Sequence, residues 1–276
     1  MYRPLGRFAE AKPLYERALR TADATMGADS LLSAAALNNL GELYRLQGDY
    51  AQAEPLYKRA LAIREKALGP ETPDVAQTLN NMALLQAAQH HDKEAEALYQ
   101  KALGIYRGGL GEDSPLVAAS MSNLAEFYRA QHKYSLAAPL FQKAIEIDER
   151  TLGMSSPRLA SDLNHHAQLL AASNKQKEAE PLYLRAIAIL EANYGPESSA
   201  LMTALGNLGA LYADQKRYRE AAPLLERALR ISEQSYGQDS AELSVPMETL
   251  AGVYKKMGQS AQAGALETRM RKLASR

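Results

Sequence analysis

Apolar positions along this 276-residue chain recur at helical spacing, and the pattern returns every 42 residues, most visibly at Gly27, Gly69, Gly111, Gly153, Gly195 and Gly237. Within one period, Leu37, Leu40, Gly41 and Tyr44 stand at i, i+3, i+4 and i+7, the spacing of one helical face. Gln47-Gly48-Asp49 interrupts the pattern, which resumes with Ala53, Tyr57 and Leu61. Each period therefore reads as a helix A, such as Leu31 to Leu46, a short turn, and a helix B, such as Tyr50 to Ala67. No stretch shows strand alternation. The expectation is thirteen helices and no sheet.

Two further columns keep the period without insertion or deletion. Prolines stand at Pro13, Pro55, Pro139, Pro181 and Pro223, with Ala97 filling the gap; alanines stand at Ala11, Ala53, Ala95, Ala137, Ala179, Ala221 and Ala263. Ser30, Thr72, Ser114, Ser156, Ser198 and Ser240 each precede a helix A, where a hydroxyl can accept from an unpaired first-turn N–H, so all six are predicted N-caps. Pro73, Pro115 and Pro157 follow at the N1 position, where a missing N–H costs nothing. The glycine column falls just past helix B, where a left-handed residue is expected to close the helix. The prolines of helix B lie in its first turns, where they break little.

Leu40-Gly41-Glu42-Leu43-Tyr44, followed by Ala53 and Tyr57, matches the tetratricopeptide pattern L-G-x₂-Y…A-x₃-F in its spacing. Leu208, Gly209, Tyr212, Ala221 and Leu225 repeat it. Small residues at Gly41, Ala83, Ala125, Ala167, Gly209 and Ala251 let helices A and B approach closely. With Leu37-Asn38-Asn39-Leu40 and the run Tyr50 to Gly69, nearly the whole chain resembles tetratricopeptide repeats of the kinesin-light-chain type. HEAT and armadillo arrays have similar repeat lengths but lack these paired small residues. The resemblance implies an all-α fold, a right-handed α-solenoid of antiparallel helix pairs with the A helices on a concave face. It spans one domain, divided at 1–29 (a truncated repeat), 30–71, 72–113, 114–155, 156–197, 198–239 and 240–276. Nothing resembles the coiled-coil or motor-associated parts of kinesin light chains.

The first residues align with the end of a helix A, Met1 falling in its last turn, so Phe8 to Thr25 reads as an orphan helix B whose partner is expected upstream. Self-association through this uncapped helix is a further expectation. At the other end Glu267 replaces Tyr57 and Arg271 replaces Leu61 in register, as in a capping helix that ends the array. Arg269, Arg271 and Lys272 there suit a helix C-terminus.

Lys plus Arg equals Asp plus Glu, giving a net charge of zero. Such a balance speaks against nucleic acid, whose binders carry a basic excess, and against a polybasic membrane-surface protein. No apolar run approaches the ~18 residues of a bilayer span, and no apolar segment follows the first arginine as in a signal peptide. The expected compartment is the cytoplasm. Cysteine is absent, which excludes disulfides, thiolate metal sites and cysteine nucleophiles.

A protein or peptide ligand is the partner class the resemblance implies, held in the concave groove. Asn38, Asn39, Glu42, Arg45 and Leu46 fall on the stripe opposite the core side of helix A. One column runs Asn39, Asn81, Asn123, His165, Asn207, Thr249; beside it stand Asn38, Asn80 and Asn164. An asparagine amide both donates and accepts, so a ladder of them can pair with an extended peptide backbone. The competing reading is a repeat signature that steadies helix packing. Arg45, Arg129 and Lys255 form a cationic column that can grip a carboxylate, or, with Glu42 and Glu126 at i−3, simply pair within their own helices. Leu84, Ala87, Ala88, Ala171, Ala172, Ala210 and Ala213 make the middle of the groove small and apolar. The favoured ligand is an extended or helical segment with apolar anchors and an acidic end.

Catalytic readings are weaker. His90-His91-Asp92 falls where other repeats have the A–B turn, and neighbouring residues on a helix do not face one way. His166 stands in the core column of Leu40, Met82, Leu124, Leu208 and Leu250. No glycine-rich phosphate loop follows a strand. Neither an enzyme activity, a metal nor a cofactor is expected. A second reading makes the chain the sensor or regulatory part of a larger signalling protein or enzyme. The fourth A helix, Pro157 to Ala172, is expected to be the weakest, because His166 replaces an apolar core residue and Leu170 replaces the tyrosine of Tyr44, Tyr128, Tyr212 and Tyr254.

Overall fold

A computed structural model describes residues 8–274, with side chains from residue 10 onward. Among these residues thirteen α-helices follow one another and no strand occurs. They are α1 (Phe8–Met26), α2 (Leu31–Leu46), α3 (Tyr50–Leu68), α4 (Pro73–Ala88), α5 (Asp92–Leu110), α6 (Pro115–Ala130), α7 (Tyr134–Leu152), α8 (Pro157–Ala172), α9 (Gln176–Tyr194), α10 (Met202–Asp214), α11 (Tyr218–Tyr236), α12 (Ser244–Lys256) and α13 (Ser260–Ala274). Even numbers are A helices and odd numbers are B helices. The turn assigned to Met1 through Gly6 lies outside the described residues. On α1, Leu14 and Met26 are exposed while Ala11 and Ala22 are buried.

The chain forms two compact units, residues 1–147 and 148–276. In the first, α2 packs on α3 and α4 on α5, while α3 also packs on α4 and α5 on α6. In the second, α8 packs on α9, α10 on α11 and α12 on α13, with α9 against α10 and α11 against α12. The small-residue column explains how close the helices come. A Cβ on Gly41 would lie 2.9 Å from the Tyr57 ring, and one on Gly209 would lie 2.7 Å from Leu225. Tyr57 is fully buried, and its other side packs on Leu85 and Met82 of the next A helix.

Both kinds of turn use positive φ, in different ways. After the A helices, Gly48, His90, His132, Asn174, Lys216 and Gly258 have φ of +77°, +61°, +58°, +60°, +62° and +76°. The N–H of Asp49 reaches the Tyr44 carbonyl at 2.9 Å and that of Gly48 the Arg45 carbonyl at 3.0 Å, which is the Schellman pattern. His90 is thus a turn residue, as its position predicts. After the B helices, Gly69 has φ +88° and ψ 162°. This corrects the left-handed expectation, because that conformation is essentially restricted to glycine.

Capping also departs from expectation at two of six sites. Ser30, Ser114, Ser198 and Ser240 accept from the backbone N–H of Ser33, Leu116, Ala200 and Glu242. The last two cap short 3-10 turns, Ser199–Leu201 and Ala241–Leu243, that lead into α10 and α12. Thr72 donates its hydroxyl backward to the Gly69 carbonyl instead, at 3.4 Å, and Ser156 makes no side-chain cap bond.

Helix α8 carries the two departures read from its sequence. Leu170 is buried and cannot donate, whereas the hydroxyls of Tyr128, Tyr212 and Tyr254 donate to Glu96, Glu180 and Glu226, each at 2.8 Å. His166 is half-buried, and burial lowers its pKa below the usual 6.5, with Lys175 acting in the same direction and Glu178 opposing.

Two outcomes follow from these features. Replacing Gly69 with Ala is expected to lower stability by about 1–3 kcal/mol, whereas Gly48→Asn, at a position that accepts histidine, lysine and asparagine elsewhere, should change it little; urea denaturation of both variants checks this. His166 has a folded-state pKa below its unfolded value. Its neutral form stabilises the fold above about pH 6.5, and that contribution is lost as pH falls through the unfolded and then the folded pKa. Amide protection factors in α8, measured against the intrinsic exchange rate at each pH, should fall on acidification, and His166→Leu should raise them and flatten their pH dependence.

Candidate functional site

The A helices present a common face in each unit, and asparagines tie neighbouring A helices together there. The Asn81 amide donates to the Asn38 carbonyl oxygen at 3.2 Å, Asn123 to Asn80 at 3.2 Å, and Asn207 to Asn164 at 3.0 Å. Each pair spans one repeat plus one residue. The acceptors are interior groups: Asn38, Asn80 and Asn164 are 5%, 9% and 7% exposed. This corrects their expected place on an open groove stripe. A buried carbonyl needs a donor, and the 42-residue register brings the next repeat's amide to it.

The donor column remains partly open. Asn81, Asn123, His165 and Asn207 are half-buried and Asn39 is exposed. Each donating amide spends one N–H on the ladder, leaving its second N–H and its own carbonyl for other partners. Asn123 lines a cleft of about 740 Å³ in the first unit, with Leu84, Ala87, Tyr99 and Phe127. Asn207 lines one of about 370 Å³ in the second, with Ala210. Of the residues expected in the apolar middle of the groove, Leu84, Ala87 and Ala210 line these two clefts, and Ala88, Ala171, Ala172 and Ala213 do not.

The cationic column is committed to internal partners. Arg45 grips Glu42 with two hydrogen bonds of 2.8 and 2.9 Å, and Arg129 grips Glu126 at 2.7 and 2.6 Å. The Tyr57 hydroxyl also donates to Glu42, at 3.1 Å. Burial, then the adjacent Glu42 charge, pushes the Tyr57 pKa far up, so the phenol stays protonated. Lys255 pairs with Glu267 of α13. These cations therefore offer a ligand carboxylate little, and an acidic end loses its main support.

Arg64 escaped sequence reading. It is 3% exposed, and its guanidinium donates to the Asp74 carbonyl at 2.6 Å and to the Thr78 hydroxyl at 2.8 Å, pinning α3 to α4. Its column holds Tyr106, Asp148, Leu190 and Ser232 in other repeats, so no period marked it. The His91 ring donates from Nδ1 to the Gln86 amide oxygen at 2.7 Å, and no cluster of three metal-ligating side chains occurs among the described residues. No helix among them is long and apolar enough to cross a membrane.

The tetratricopeptide repeat pattern matches residues 1–66, 33–108, 111–192 and 200–274. Among solved structures, BtubC (BKLC) of P. vanneervenii is similar at 27% identity and a TM-score of 0.67, over 84% of this chain and 92% of that one. A Podospora anserina putative kinesin light chain with nearly identical TPR-like repeats is 23% identical, with a TM-score of 0.61 over 73% of this chain and 95% of that one. Aspartyl phosphate phosphatase F of Bacillus subtilis shares 15% identity with a TM-score of 0.61, over 93% of this chain and 74% of that one. No curated protein matches the sequence.

The ladder predicts unequal effects within one column. Asn81→Ala strands the buried Asn38 carbonyl and is expected to cost about 1–3 kcal/mol. Asn39→Ala, at an exposed position, should cost less than about 0.5 kcal/mol. Parallel denaturation curves of the two variants check the difference.

Proposed function

Because the chain belongs to the tetratricopeptide repeat family, we propose that it is a non-catalytic scaffold whose A-helix face holds an extended or helical segment of a partner protein. The observation that carries this reading is the pairing, in each unit, of a cleft with a half-buried asparagine amide and small apolar residues. Apolar walls supply the area that drives association, and the remaining amide groups orient a peptide backbone without reading its side chains. The amides belong to helices already locked together by the ladder, so little ordering is left to oppose binding.

A triple asparagine replacement would disturb the ladder as well as the face, so the test leaves the ladder intact. A random 12-residue peptide library displayed on phage is panned against the full chain, and enriched peptides are titrated by fluorescence anisotropy. Ala87→Arg combined with Ala210→Arg places bulk in both clefts and should weaken binding about tenfold or more, with helicity by circular dichroism unchanged. Absence of enrichment, or affinity untouched by the double replacement, would refute the reading.

A further inference from the structure

The ladder is missing between α10 and α12, and a cleft lies at the gap. In the acceptor column the first four repeats have Asn38, Asn80, Ser122 and Asn164 and the fifth has Gly206; in the donor column the sixth has Thr249. Gly206 has no side chain to accept, and Thr249 turns its hydroxyl to the Val245 carbonyl of its own helix, at 3.0 Å. Gly206 and Thr249 both line the 370 Å³ cleft, and a Cβ on Gly206 would meet nothing within 4 Å. A mid-helix glycine weakens a helix relative to alanine, so this one costs helix stability while leaving the space open.

The chemistry of the opening is specific. Its floor includes Leu225 and Ala228 of α11, and its rim carries Val245, which is 70% exposed. The charged residue in the lining is Glu242, and no cation joins it. Neither Glu242 nor Glu248, an exposed residue outside the lining itself and three positions beyond the rim residue Val245 on α12, forms an ion pair among the described residues. A low-dielectric cleft lined by one sign of charge attracts the opposite sign.

Resting on the binding-scaffold reading above, we propose that this cleft is the specificity pocket of the second unit. It takes an apolar side chain of the partner flanked by a lysine or arginine. The apolar group fills the space left at Gly206, the cation meets Glu242 and Glu248, and the partner's backbone reaches the free groups of the Asn207 amide.

Rebuilding the missing link tests this and gives up only the bond of the Thr249 hydroxyl to its own helix. Gly206→Asn with Thr249→Asn restores the pair found three times elsewhere and fills the cleft. Peptides enriched on the full-length wild-type chain should carry an apolar residue beside Lys or Arg, and the rebuilt variant should bind them about tenfold more weakly while unfolding at the same or higher urea concentration. Glu242→Gln with Glu248→Gln should weaken binding about threefold at low salt and change it little at high salt. On wild-type protein, the bound peptide should slow amide exchange in residues 203–210 and 245–249, a readout that holds even if the rebuilt variant folds poorly. Peptides that lose affinity on Ala87→Arg and Ala210→Arg replacement but bind the rebuilt variant normally, or that protect neither segment, overturn the pocket and leave the scaffold reading standing. Failure of all peptides to bind defeats both.

Discussion

Each B helix with a successor in its unit has two sides to cover, and its own repeat covers only one. Tyr57 shows the constraint at one residue: one side lies against Gly41 of its own repeat, the other against Leu85 and Met82 of the next. A single helix pair would leave half of that ring in water, so the repeats are stable only in series. Close approach is achieved by subtraction, with glycine or alanine facing a large side chain, and the core is correspondingly rich in alanine, leucine and tyrosine. Because interiors are packed to crystal-like density, the period tolerates no insertion, and every column keeps its register.

Register then settles the polar groups. Once A helices lie side by side at fixed spacing, an amide carbonyl buried on one helix and an amide on the next stand at hydrogen-bond distance, as they do at Asn38, Asn80 and Asn164. The resulting asparagine pairs satisfy interior acceptors that would otherwise weaken the stack. They also hold the donor amides still on a half-open surface, so one residue type serves packing and recognition. The same logic makes a missing pair informative: where Gly206 interrupts the series, the structure has space in place of a bond.

The B helices are joined by a different and weaker set of contacts. Arg185 meets Glu149 at 2.5 Å and Arg227 meets Glu191 at 2.6 Å, while Arg59 lies 3.9 Å from Asp23 and Arg269 pairs with Glu233. Arg59 and Arg269 also donate to backbone carbonyls of Ala28 and Gln238, each at 2.8 Å, closing the preceding loop onto the helix. These groups are partly exposed, so each pair contributes on the order of 1 kcal/mol or less. Arg64 differs because it is buried, and losing it would leave the Thr78 hydroxyl only its 3.3 Å bond to the Asp74 carbonyl. Arg269 suits a helix C-terminus by its sequence position, yet its partner is Glu233 of α11.

The amino-acid sequence alone determined the helices, their order, most of their ends and the sites of close approach. Apolar spacing, proline at N1, glycine after helix B and small residues opposite large ones act over a few residues or recur at a fixed period. Thus Leu31 to Leu46 and Pro157 to Ala172 were legible to the residue. Only the tertiary structure decided which polar groups meet. The pairing of Asn81 with Asn38, the burial of Arg64 by α4, the commitment of Lys255 to α13 and the opening at Gly206 all depend on distances between separate helices. A sequence column marks an asparagine without saying whether its amide faces a peptide or the asparagine of the preceding repeat. That choice is set by how far apart packing leaves two helix axes, and so it appears only once the helices are stacked.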